Sequence, residues 1–136
     1  MRVALFLLIG LHVAICCTIV PLPVKGAAKR AEIVFRGRIT EISDTEIIFR
    51  VERVWKGHVQ ATFAMPKIVW SDFPCFPGFR QGYVRVGTEM LVYARRRLPA
   101  LNVDGYVCEP GSRTALIQNA AADLRILGHG HPPATR

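Results

Sequence analysis

Two runs of alternating apolar and polar residues, one turn apart, constrain the fold of this chain more than any other feature of its sequence. EIVFRGRITEIS (residues 32–43) and EIIFRVERVW (46–55) both follow the two-residue period of a strand with one buried face. In the first run Val34, Arg36 and Arg38 share a face, while Ile33, Phe35 and Ile39 lie mostly on the other. Gly37 interrupts it, as glycine does at a bulge or where another backbone comes close. In the second, Ile47, Phe49, Val51 and Arg53 alternate with Ile48, Arg50, Glu52 and Val54. Asp44-Thr45 makes a tight turn between them, and the pair reads as a hairpin.

The rest of the chain extends this pattern. After Lys56-Gly57, HVQATFAMPKIV (58–69) supplies a third strand that ends at Trp70. Residues 71–82 hold two prolines, two glycines and Cys75, and read as an ordered loop fastened by a disulfide. Val86-Gly87-Thr88 introduces a fourth strand, TEMLVYARR (88–96), whose apolar centre predicts burial on both faces. A short fifth strand ends at Cys108. Ser112 is a good N-cap for a helix over 112–127, with Leu116, Ala120, Leu124 and Leu127 on one core-facing stripe and Gly128 closing it. Residues 27–31 suit one helical turn, and HGHPPATR (129–136) reads as a frayed tail. Strands linked by turns rather than helices predict a mainly β fold, a small closed or partly open barrel of five strands with a C-terminal α-helix.

Ahead of the barrel, Met1-Arg2 and the apolar run over residues 3–20 have the form of an export signal. The run exceeds the roughly 7–15 residues of a signal core and reaches the roughly 17–25 of a spanning helix, so a cleaved signal peptide and a retained anchor are both compatible with it. His12 near its middle argues against a stable span. Pro21 and Pro23 end it. The chain thus divides into signal or anchor helix with linker (1–26), barrel domain with C-terminal helix (27–128) and disordered tail (129–136). Its cysteines follow the same division, with Cys16 and Cys17 at the end of the leader and Cys75 and Cys108 inside the domain. Disulfides persist outside the reducing cytosol, which places the protein among secreted, periplasmic or cell-envelope proteins. Four cysteines allow three pairings; a bond between Cys75 and Cys108 would contribute roughly 2–4 kcal/mol.

The formal net charge is +8. Without residues 1–26, which hold two of the 18 Lys and Arg and no acid, 16 bases face 10 acids for a net +6. The bases alternate along strands (Arg36, Arg38; Arg50, Arg53, Lys56) or cluster at Arg95-Arg96-Arg97, which reads as the charge guard of an edge strand. Such a field suits an acidic partner, an anionic glycan or a headgroup surface, and export sets nucleic acid aside. No metalloprotease, nucleophile-elbow, phosphate-loop or CxxC motif is present. His58 stands alone, His129 and His131 make a poor metal pair, and Glu41, Asp44 and Glu46 are ordinary turn acids. Trp55 and Trp70 end apolar strands and are expected to pack under the barrel rim. Neither a cofactor nor an enzymatic role is expected.

The succession AEIVFRGRITEIS (31–43), FRVERVWKG (49–57), VGTEMLVYA (86–94), a cysteine shortly before SRT (112–114) and AAADLRILG (120–128) resembles a family of secreted bacterial proteins similar to the N-terminal, netrin-like domain of tissue inhibitors of metalloproteinases. The resemblance covers about residues 27–128. It implies an oligonucleotide/oligosaccharide-binding (OB) type barrel and a non-catalytic, protein-binding role, with an extracellular metalloprotease or another envelope protein as partner. In that family the mature chain opens on Cys-x-Cys, and the α-amine and carbonyl of its first residue chelate the protease zinc. Cys75 and Cys108 stand like the later disulfide partners, and Cys16-Cys17 stand roughly where Cys-x-Cys does, without the intervening residue. Glu109-Pro110-Gly111 separates Cys108 from SRT. Cleavage after Cys16 would make Cys17 the protease-contacting N-terminus, whereas cleavage after Gly26-Ala27-Ala28 suits the small-residue rule and discards both leader cysteines. The membrane is a partner only through an uncleaved N-terminal segment. The alternative role is an envelope module that uses a basic face for an anionic glycan or lipid.

Overall fold

The computed structural model describes residue 20 and residues 22–67, 84–96, 105–108 and 112–135. The leader up to residue 19, with Cys16 and Cys17, lies outside the described residues, as do Trp70 and Cys75. Among the described residues no helix is long and apolar enough to cross a membrane. The elements are α1 (Val24–Arg30), β1 (Ile33–Ile42), β2 (Glu46–Lys56), β3 (Thr62–Pro66), β4 (Glu89–Arg96), β5 (Tyr106–Val107), β6 (Ala115–Leu116) and α2 (Ala121–Leu127).

The predicted hairpin is present, with β1 antiparallel to β2. Ser43 closes its turn: the backbone N–H donates to the Glu46 carbonyl at 2.9 Å, and the hydroxyl accepts from the Thr45 and Glu46 amides. Gly37 sits beside a bulge, because Gly37 faces Val51 while the preceding Arg36 faces Arg53, leaving Glu52 as the extra residue. A Cβ at Gly37 would lie 3.1 Å from the Arg50 carbonyl oxygen and 3.2 Å from the Phe35 ring. The one-residue slip moves Val54, rather than Arg53, into the interior.

Spatial order is β3-β2-β1-β4-β5, with β6 added to β4. The gap between β3 and β5 is spanned by side chains: the Phe63 and Tyr106 rings lie 5.5 Å apart, and Pro66 abuts Gly105. The result is the expected five-stranded, nearly closed barrel with a short helix near the C-terminus, and its strand order is compatible with an OB-type barrel. Phe35 packs edge-on against Phe49 and Phe63, and Ile33, Ile39, Val51, Met65, Met90 and Val92 fill the barrel around them. A second core lies on the outside, where α1 and α2 cover Val34 of β1 and Leu91 and Tyr93 of β4. Met90 through Ala94 are therefore buried on both faces, as the apolar run predicted.

Four expectations change. The helix predicted over 112–127 is only α2, preceded by a single 3-10 turn at Ile117–Asn119. Its first part is drawn into the sheet: Ala115 and Leu116 pair with Leu91 and Met90, and the Thr114 hydroxyl bonds both backbone groups of Tyr93. The tail predicted to be disordered (129–136) is docked as far as Ala134. Pairing of β2 with β3 ends at Arg50 and Thr62, which leaves the edge of β2 open. His131 fills it by exchanging two 2.8 Å hydrogen bonds with Val54, and the Ala134 amide donates to the Val59 carbonyl. The helical turn expected at 27–31 begins earlier, at Val24, and buries Val24 and Ala27, so Val24, assigned to the linker, is a buried residue of α1. Finally, β4 is an internal strand, so Arg95 and Arg96 guard no sheet edge, and the Arg96 guanidinium lies over the Tyr106 ring instead. Arg97 lies outside the described residues.

Candidate functional site

The outward face of β1, β2 and β4 gathers basic residues by register. Arg36 stands opposite Arg53, and Arg38 stands opposite Arg50. Like charges facing one another across a strand pair oppose the pairing. Two carboxylates offset this. Glu89, across from Arg38 on β4, receives Arg36 Nη2 at 2.8 Å and pairs with Arg38 as well. Glu52, the bulge residue, lies 3.2 Å from Arg36 Nε, and Arg38 also donates to the Gly87 carbonyl. These ion pairs are solvent-touched, and each contributes at most about 1 kcal/mol. They use the guanidinium groups of β1, while Arg50 and Arg53 of β2 are exposed. The face therefore keeps a cationic excess, and guanidinium forks fit carboxylate, sulfate and phosphate oxygens.

Beneath the helical cover lies a buried polar cluster. Asp123 of α2, only 3% exposed, accepts from the Tyr93 hydroxyl at 2.8 Å and from Arg113 Nε and Nη2 at 2.7 and 2.6 Å. Arg113 also donates to the Leu22 carbonyl at 3.1 Å, so one guanidinium ties α2 to the chain entering α1. Burial pushes the Asp123 carboxyl up, but the hydrogen bonds from Arg113 and Tyr93 outweigh it and hold the group below the ordinary carboxylate range. Burial, then the Asp123 hydrogen bond, push the Tyr93 phenol well up, and the same carboxylate raises Arg113 further. Every group is locked in its ordinary charge state, which makes this a clasp rather than a proton-transfer site.

Cys75, the expected partner of Cys108, lies outside the described residues, and Cys108 is a free and buried thiol with its Sγ 3.3 Å from the Thr114 hydroxyl oxygen. Burial pushes it up to about 12, so it stays protonated and is a poor nucleophile. Its other candidate partners, Cys16 and Cys17, lie outside the described residues, as does the proposed N-terminal contact at Cys17. Trp55 packs at the second core and donates its indole N–H to the Gly128 carbonyl at 2.9 Å, a structural use. His58, His129 and His131 are exposed, and among the described residues no three His, Cys, Asp or Glu side chains gather as a metal site. Sequence reasoning missed Arg113 and Asp123, although each sits inside a motif that it quoted, SRT and AAADLRILG. The available signal was an acid at position 123 on a stripe otherwise made of Ala120, Leu124 and Leu127.

Compared with protein-family models, curated proteins and solved structures, the chain matches none.

Proposed function

We propose that the chain is an exported, non-catalytic binding domain that engages a protein partner. The observation that supports this reading best is the arginine-rich outer face of the barrel, where two cross-strand arginine pairs are retained against their mutual repulsion. A surface that bears such a cost gains when an acidic partner covers it, and Arg50 and Arg53 present two exposed guanidinium forks. Inhibition of an extracellular metalloprotease is the specific form that the resemblance suggests, with Cys17 as the candidate protease-contacting terminus. Titration of the purified protein against a panel of zinc proteases tests that form: inhibition of at least one is expected, and no inhibition at micromolar concentration removes it. The double substitution Arg50→Glu with Arg53→Glu tests the face, with an expected loss of at least tenfold in affinity for the partner.

The second reading rests on the same two exposed arginines, which equally fit an anionic glycan or lipid headgroup. Binding to anionic vesicles or wall polymers that falls steeply with salt favours it, because exposed charge contacts are screened over about 10 Å at 0.1 M salt. Salt-insensitive behaviour counts against it.

A further inference from the structure

The small-residue rule favours a leader cut after Gly26-Ala27-Ala28, and this is the point at which the fold argues back. Val24 and Ala27 are buried, and Ala27 packs with Ala31 toward Val34, Leu91 and Tyr93. The Ala27 amide donates to the Pro23 carbonyl and the Ala31 amide to the Ala27 carbonyl, so the helix spans the candidate cut. Its C-terminal end is closed from β2: Lys56 Nζ donates to the carbonyls of Ala28 and Lys29 at 2.9 Å and of Ala31 at 2.5 Å, using all three of its protons. Its N-terminal approach is held by Arg113 at the Leu22 carbonyl, and Arg113 is the same residue that neutralises Asp123. A cut after Ala28 would strip the apolar cover from Tyr93, remove one contact of the clasp and take the acceptor at Ala28 from Lys56.

We propose that α1 is a fixed part of the folded domain and that leader processing, where it occurs, falls upstream of Leu22. This rests on reading the apolar run at residues 3–20 as an export leader. It bears on function because a terminus released upstream of Leu22 would lead into Leu22-Pro23, fastened by Arg113 at the Leu22 carbonyl, whereas a terminus at Lys29 would begin inside α1.

The test uses the full chain, expressed with its leader, and reads three things. Intact mass and N-terminal sequence of the recovered protein locate the cut. Trypsin reports the bonds after Lys25 and Lys29, which in the folded chain should be cleaved at least a hundredfold more slowly than in the denatured chain. Val24→Asp, placing a charge at a buried position of α1, should lower Tm by more than about 5 °C. A first residue at or before Leu22, or an intact leader, together with protected α1 bonds, supports the inference. A folded, stable protein that begins at Lys29 overturns it, as does cleavage after Lys25 at the denatured rate. Retention in the cytosol with Met1 in place would sink the export reading alone, and the trypsin and Val24→Asp results would still decide whether α1 belongs to the domain.

Discussion

The Asp123 carboxylate stays ionised in a buried position because three donors reach it, two from Arg113 and one from Tyr93. Breaking a buried, hydrogen-bonded charge pair costs about 3 kcal/mol, so Asp123→Ala should lower unfolding free energy by that amount in urea titrations. The pH dependence has a definite sign. A carboxyl whose folded pKa lies below its unfolded value contributes stability that is complete above about pH 4 and is lost as pH falls through the folded value. Acid titration of unfolding should therefore show a steep loss below about pH 4, and the slope should be shallower in Asp123→Asn. Cys108 makes a second prediction: iodoacetamide at pH 8 should leave it unmodified in the native protein and label it after denaturation, as mapped by peptide mass. A Cys108 peptide that stays unlabelled after denaturation without reductant would mean a disulfide. Residues of this kind were only half legible. The acid at 123 was visible on an apolar stripe, but its partner Arg113 lay within a segment whose good N-cap and helical spacing hid the strand β6.

At the scale of elements, local period was a reliable guide wherever a segment's own alternation decided its state. β1, β2 and β4 were readable for that reason, and Gly37 marked its bulge because a Cβ there would crowd the Arg50 carbonyl at 3.1 Å. The tail and β6 were not readable, because each is recruited by an unpaired backbone edge of a strand far away in sequence. Docking of the tail makes a direct prediction. Trp55→Phe removes the hydrogen bond to the Gly128 carbonyl and should cost about 1 kcal/mol, with faster exchange of the Val54 amide by hydrogen-exchange measurement. Gly57 ends β2 at φ +80°, and a Cβ there would lie 2.7 Å from the Glu32 carbonyl oxygen. Gly57→Ala is thus both strained and crowded, and should destabilise by more than about 1 kcal/mol in thermal unfolding.

Across the whole molecule, charge and stability are set in different places. The clasp and the two cores hold the fold, while the arginine face contributes little to it and is available for a partner. Replacing Arg50 and Arg53 by glutamate should leave unfolding free energy within about 0.5 kcal/mol of the parent, even as binding to an acidic partner collapses; circular dichroism melts beside binding titrations would separate the two. The barrel was legible from strand spacing, whereas the outer core was not, since it depends on two short helices far apart in sequence meeting on one sheet face. That meeting also has a temporal side. The hairpin of β1 and β2 can pair as soon as it leaves the ribosome, but Arg113, Asp123 and His131 are made well after both of its strands. A chain that fastens its outer layer with residues made so long after its first hairpin leaves that face of the hairpin uncovered until they emerge.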